Sequence, residues 1–183
     1  MLSAQRLILL LMALVMTFAL GACGNVTVLH YTIPDTYQGF LVIRYACPQG
    51  EPVVRQDGRI HITFQDNGTA CLAAGYTDIF PSGVFHVARV ETLSGQSIRF
   101  AGSVDKQSSG YALVDLSVMQ DIKGPSPDAP TDTYGILWVG DVADLSARAQ
   151  AGEYSNQLAD FLEQHFGVPR NPAQQSSKAR PRP

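Results

Sequence analysis

The sequence predicts a mainly β protein: a compact antiparallel β-sandwich closed by one C-terminal amphipathic helix. Three observations predict it. From Thr27 to Gly140, short β-branched and aromatic runs alternate with Gly, Pro, Asp and Asn turn signals. Past Gly140 the apolar spacing changes from two to about 3.6 residues. Hydrophobic content of 45% beside 16% charged residues is that of a chain with a core.

Taken in order, Thr27 to Ile33 is a strand that stops at Pro34, which has no N–H to give to a ladder. Pro34-Asp35-Thr36-Tyr37-Gln38-Gly39 is a turn, and Phe40 to Tyr45 is a strand apolar on both faces. Cys47-Pro48-Gln49-Gly50 ends it. Asp57-Gly58 turns into Arg59-Ile60-His61-Ile62-Thr63-Phe64, whose alternation marks a half-buried strand. Asp66-Asn67-Gly68 turns again, and Thr69 to Leu72 is extended. Further strands are expected at Val84 to Val90, Ser97 to Val104, Tyr111 to Met119 and Tyr134 to Gly140, with an exposed loop at 123–133. In the Tyr111 strand, Leu113, Asp115 and Ser117 share one face, with Val114, Leu116 and Val118 on the other.

A helix is expected over about 141–166, capped by Asp141 or Asp144 and interrupted at Gly152. Tyr154, Leu158, Phe161, Leu162 and Phe166 form its apolar face. That face either lies against the sandwich or docks an envelope protein partner or the membrane surface, the last disfavoured by carboxylates in place of lysines on the polar face. Residues 168–183, rich in Pro, Ser, Gln and Arg, are expected to be a disordered basic tail.

Residues 1–22 have the make-up of an export leader. Arg6 and the amino terminus supply positive charge, and an apolar run from Leu7 to Leu20 follows, short of the ~20 residues of a spanning helix. Leu20-Gly21-Ala22-Cys23 resembles a bacterial lipobox. That resemblance implies cleavage before Cys23 and its modification by diacylglycerol and a further chain such as palmitate, enough chains for stable anchoring. Ala19-Leu20-Gly21 as an ordinary signal-peptidase site, or an uncleaved anchor, are the alternatives. Gly24, in place of an aspartate, points to the outer membrane facing the periplasm if the host is Gram-negative.

Cys23 to Pro183 suffices for one domain, 23–167, ahead of the tail. All 16 acidic residues lie between Asp35 and Glu163, with eight of the 13 basic ones, a local balance of −8 against −3 overall. An acidic body argues against nucleic acid as a partner. With Cys23 acylated, Cys47 and Cys71 remain as an even pair in an oxidising compartment, which favours a disulfide over two buried thiols.

Chemical motifs are sparse. There is no Gly-x-Ser-x-Gly elbow, His-Glu-x-x-His or phosphate loop, and no metal or cofactor is expected. Asp128 and Asp132 lack the ligand density of a calcium loop. His61 and His86, if on neighbouring strands with Asp66 or Asp78 close by, are the one candidate acid–base or zinc pair. Lone strand histidines are more commonly surface residues. Tyr37, Tyr76 and Tyr111 are candidate ligand-binding aromatics in loops.

Ile33-Pro34-Asp35-Thr36-Tyr37-Gln38-Gly39, Asp57-Gly58 before a strand, Phe85-His86-Val87, and Trp138-Val139-Gly140-Asp141 before a helix together resemble an uncharacterised bacterial family. Its members are small secreted or lipid-anchored proteins built on a domain of unknown function. The chain departs from that pattern at Asp141, where threonine is commoner, and in Cys47, Cys71 and the basic tail. The resemblance implies a compact sandwich, transthyretin- or immunoglobulin-like, with a terminal helix, and it brings no catalytic residues.

The function expected is therefore a non-enzymatic envelope lipoprotein, attached to the membrane through Cys23, that binds or scaffolds another macromolecule. A sugar- or peptide-binding lipoprotein is the alternative, and a hydrolase built on His61 and His86 the outlier.

Overall fold

A computed structural model describes residues 26–82, 85–101, 110–123 and 131–170. The leader, Cys23, Asp128, most of the 123–133 loop, positions 102–104 and tail positions 171–183 lie outside the described residues.

Nine strands form in chain order: β1 (Val26–Ile33), β2 (Gly39–Arg44), β3 (Val54–Gln56), β4 (Arg59–Thr63), β5 (Thr69–Cys71), β6 (Phe85–Thr92), β7 (Ser97–Ala101), β8 (Tyr111–Lys123) and β9 (Thr131–Asp141). Helices are α1 (Tyr76–Ile79), α2 (Val142–Gln150) and α3 (Glu153–Phe166). The strands make one mixed sheet in the order β3-β4-β1-β6-β7-β8-β9-β2-β5. Parallel pairs are β1 with β4 and β6, β2 with β5, and β7 with β8.

A single curled mixed sheet thus stands where an antiparallel sandwich was expected. The curl follows from the connections. β4 and β5 lie towards opposite ends of the strand order, yet a tight turn joins them, with Gly68 N donating to Gln65 O and Gln65 N to Thr69 O. Similarly, Glu51 bridges to Leu72 beside β5, and three residues on Val54 begins β3 at the other edge. The chain also passes directly from β1 to β2 through the turn at 34–38. Both ends of the sheet must therefore approach each other, and the sheet is a half-barrel.

Alternation along the strands sorts the side chains into two cores. The concave side buries Leu29, Tyr31, Ile33, Leu41, Ile43, Ile60, Ile62, Val90, Leu113, Leu137 and Val139. On the convex side, Phe40, Val42, Ala112, Val114, Tyr134, Ile136 and Trp138 of β2, β8 and β9 meet Val142, Leu145, Leu158 and Leu162 of the helices. β2 is apolar on both faces because each of its faces is buried in a different core.

The helical segment is broken as expected at Gly152, which takes a left-handed conformation (φ 72°) between α2 and α3. Asp141 caps α2, its Oδ1 accepting from Ala143 N at 2.8 Å, and Gly167 (φ 66°) ends α3. Arg170, placed with the tail by its sequence, is instead held on α3 by Asp160 and Glu163.

Cys47 and Cys71 form a disulfide with their Cα atoms 5.8 Å apart. It ties the end of β5 to the segment leaving β2, where Cys47 N also donates to Leu72 O and Glu51 N to Cys71 O.

Candidate functional site

The histidines are not arranged as a pair. β1 lies between β4 and β6, so His61 and His86 are not on neighbouring strands. His61 is aligned with His30, and His30 with Arg89, on the convex face. His86, three positions from Arg89, has the opposite parity and projects to the concave side, where its ring meets Phe80 at 4.8 Å. His61 packs instead on His30, ring centres 4.8 Å apart, and His30 Nε2 lies 3.0 Å from Glu91 Oε1. Asp78 Oδ2 accepts from Gly75 N and so shapes the start of α1. Among the described residues, no group of three or more His, Cys, Asp or Glu side chains is placed to hold a metal ion. Asp132 pairs with Arg44 at 2.8 Å and accepts from the Tyr134 hydroxyl. Burial first, and then the Asp132 charge, push Tyr134 up to about 12.

Two of the three loop tyrosines serve the fold. Tyr37 Oη donates to Phe40 O at 2.7 Å, and Tyr111 Oη to Tyr37 O at 2.6 Å, so both fasten the β1–β2 turn. Asp35 fixes the same turn to the β6–β7 turn by accepting from Ser94 Oγ and Ser94 N, bonds that hold its carboxyl below the usual range.

Tyr76 is different. It borders a hollow of about 50 Å³ inside the curl, lined also by Tyr31, Tyr45, Phe80, Asp115 and Gly135. Each residue arrives for a local reason. Tyr31 has the concave parity of β1, and Asp115 that of β8, where it is aligned with Leu137. Tyr45 follows β2. Its ring can pass over β9 because position 135 is a glycine, where a Cβ would stand 2.8 Å from the Tyr45 hydroxyl. α1 supplies Tyr76, and Phe80 follows it. These two rings stack 4.8 Å apart, and Tyr45 meets them edge-on at 5.4 and 6.3 Å.

Burial raises the pKa of Tyr31 and Tyr45, with the Asp115 charge adding to the effect in both. Asp115 stands exposed at the mouth, yet its apolar surroundings raise its own pKa too. None of the hydroxyls of Tyr31, Tyr45 and Tyr76, nor the Asp115 carboxylate, has a hydrogen-bond or ion-pair partner among the described residues. The site therefore holds four aromatic rings and one carboxylate that has no partner among the described residues.

Tyr31, Tyr45 and Asp115 were missed as site residues in the sequence. The signal available was Asp115 itself, a lone carboxylate on the Leu113 face of an apolar strand. The apolar face of α3, by contrast, is used inside the protein: Phe40 meets Tyr154 at 5.2 Å and Phe161 at 6.2 Å, and Tyr134 meets Phe166 at 5.3 Å.

No family model matches the sequence, including any for the family that its opening and closing motifs resemble, and no curated protein matches it. Among solved structures, the chain is similar to a crystal structure from Bacillus anthracis described as a putative lipoprotein. The two are 18% identical, with 84% of this chain and 91% of that one covered and a TM-score of 0.43.

Proposed function

We propose that the chain is a lipid-anchored, non-enzymatic binding protein of a bacterial cell envelope that takes a small ligand into the hollow of its curled sheet. The carrying observation is the convergence on one hollow of Tyr31, Tyr45, Tyr76, Phe80 and Asp115, a carboxylate without a partner among the described residues. The lipobox-like Leu20-Gly21-Ala22-Cys23 supports the anchor. Only Gly24 and Asn25 separate Cys23 from β1, so an acylated Cys23 lies within about 11 Å of Val26 at full extension. In a host with two membranes, Gly24 favours the outer membrane, facing the periplasm. The placement of His61 and His86 on opposite faces of the sheet counts against the hydrolase.

The burial of the α3 face counts against a partner docked there. One observation keeps a scaffolding role as the second reading. Val54 (53% exposed) and Val87 (55%) stand on the convex face of β3 and β6, where no described helix packs.

Two measurements test the proposal. Labelled palmitate should enter the intact chain in a bacterial host and not its Cys23→Ser variant; equal labelling would remove the anchor. The melting temperature should rise with a member of a panel of amines, sugars and short peptides, and the rise should vanish in Tyr45→Ala. A panel without effect would remove the binding role.

A further inference from the structure

We infer that the ligand group received by this hollow is an alkylammonium cation, held among the rings of Tyr31, Tyr45, Tyr76 and Phe80 with Asp115 at the mouth. The inference rests on the binding role proposed above and names its ligand class.

Shape comes first. Tyr76 and Phe80 stack on one another and border the hollow, and Tyr45 stands nearly perpendicular to both, at interplanar angles of 78° and 84°. Tyr31 and Asp115 also line it, with the aliphatic Ile43, Ile136 and Leu137. An aromatic face is negative at its centre and attracts a cation, most strongly where water is excluded. A volume of about 50 Å³ holds roughly three to five water-sized groups. That suits a nitrogen with its methyl or methylene neighbours, whereas a whole sugar ring does not fit inside.

Charge points the same way. Arg44 is paired with Asp132, Arg148 with Asp144, and Arg170 with Asp160 and Glu163, while Arg55 donates to Asp78 O. No ion pair between Asp115 and a described cation is formed. Its carboxylate is partly desolvated with no ion-pair partner among the described residues, in keeping with its raised pKa, and a bound ammonium would supply one. An anionic ligand would meet repulsion at the same mouth.

A free amine and a lysine side chain on a peptide share this chemistry. Titrations of the full chain with choline, butylammonium and a short lysine peptide distinguish those sources. Dimethylbutanol, the neutral carbon isostere of choline, is the control. Choline should bind at least about tenfold more tightly than its isostere. Asp115→Asn should lose about tenfold in affinity without a lower melting temperature. Tyr76→Phe, which keeps the π face, should stay within about twofold of the parent, and Tyr76→Leu should lose about tenfold. Equal binding of choline and dimethylbutanol would overturn the cation assignment and leave the hollow as a binding site. Cation binding that ignores both Asp115→Asn and Tyr76→Leu would overturn its location. Failure of every cation, with a sugar or an uncharged peptide binding instead, would overturn the ligand class alone; failure of all ligands would overturn the binding role with it.

Discussion

Replacing both Cys47 and Cys71 with alanine should cost the folded protein about 3.5 kcal/mol. The bridge spans 24 positions, and the chain-entropy relation for a loop of that size gives about 3.5 kcal/mol at 25 °C. The path of that loop explains why the constraint is global. From Cys47 the chain crosses to the far edge of the sheet, forms β3 and β4, and returns through the Asp66-Asn67-Gly68 turn to β5. The bridge thus holds together, in the unfolded chain, two points that must meet for the curl to close. At about 3 °C per kcal/mol for a domain of this size, the melting temperature should fall by about 10 °C. Urea unfolding followed by Trp138 fluorescence would measure the loss. The dependence on urea should also steepen, because the unbridged chain exposes more surface when it unfolds. A loss under about 1 kcal/mol, with hydrogen exchange faster only in β5, would refute the reasoning. The bridge would then be a local staple whose work the β2–β5 ladder already does.

Gly68 has φ +80°, and a Cβ there would run into the Tyr37 hydroxyl and ring; Gly68→Ala should therefore cost about 3 kcal/mol in urea unfolding. Leu162→Ala should cost about 2–4 kcal/mol and exposed Gln164→Ala under about 0.5, which checks that α3 is seated on the sheet. Tyr31, Tyr45 and Tyr134 have raised pKa values in the fold. Their contribution is complete below the ordinary tyrosine range near 10 and is lost as pH rises through the folded values, because the unfolded chain gives up protons first. Stability should thus fall above about pH 10, by up to about 1.4 kcal/mol per pH unit for each tyrosine; unfolding curves unchanged to about pH 11 would contradict this. The raised pKa of Asp115 has the same sign. Its stabilising contribution exists below the ordinary carboxyl range and is gone at neutral pH. Asp115→Asn should therefore melt no lower than the parent at neutral pH and level with it in acid.

Strand positions were legible because strand signals are local. The runs around Thr27–Ile33, Phe40–Tyr45 and Arg59–Phe64 coincide closely with β1, β2 and β4, whereas β9 extends beyond Tyr134–Gly140 into Thr131–Thr133, expected as loop. β3 escaped notice because its three residues are all exposed and carry no alternation. The hollow was far less legible. Tyr31 and Tyr45 read as ordinary strand residues, and the loop tyrosines Tyr37 and Tyr111 were preferred to them. Nothing in sequence spacing shows that a residue of β1, one following β2 and one of β8 project into the same space.

What the sequence determined by itself was everything that rests on near neighbours. Period and turn chemistry set the strands, the Gly152 break and the Asp141 cap. Cysteine parity indicated the bridge. Tertiary structure alone decided which strands pair and in which direction, because hydrogen bonds between strands are made by the backbone and leave almost no trace in residue identity. β1 therefore takes β4 and β6 as parallel neighbours, and β2 lies across the curl from the strand that precedes it. That pairing separates His61 from His86, brings Tyr31, Tyr45 and Asp115 to one hollow, and closes a half-barrel from segments that would serve a sandwich equally well.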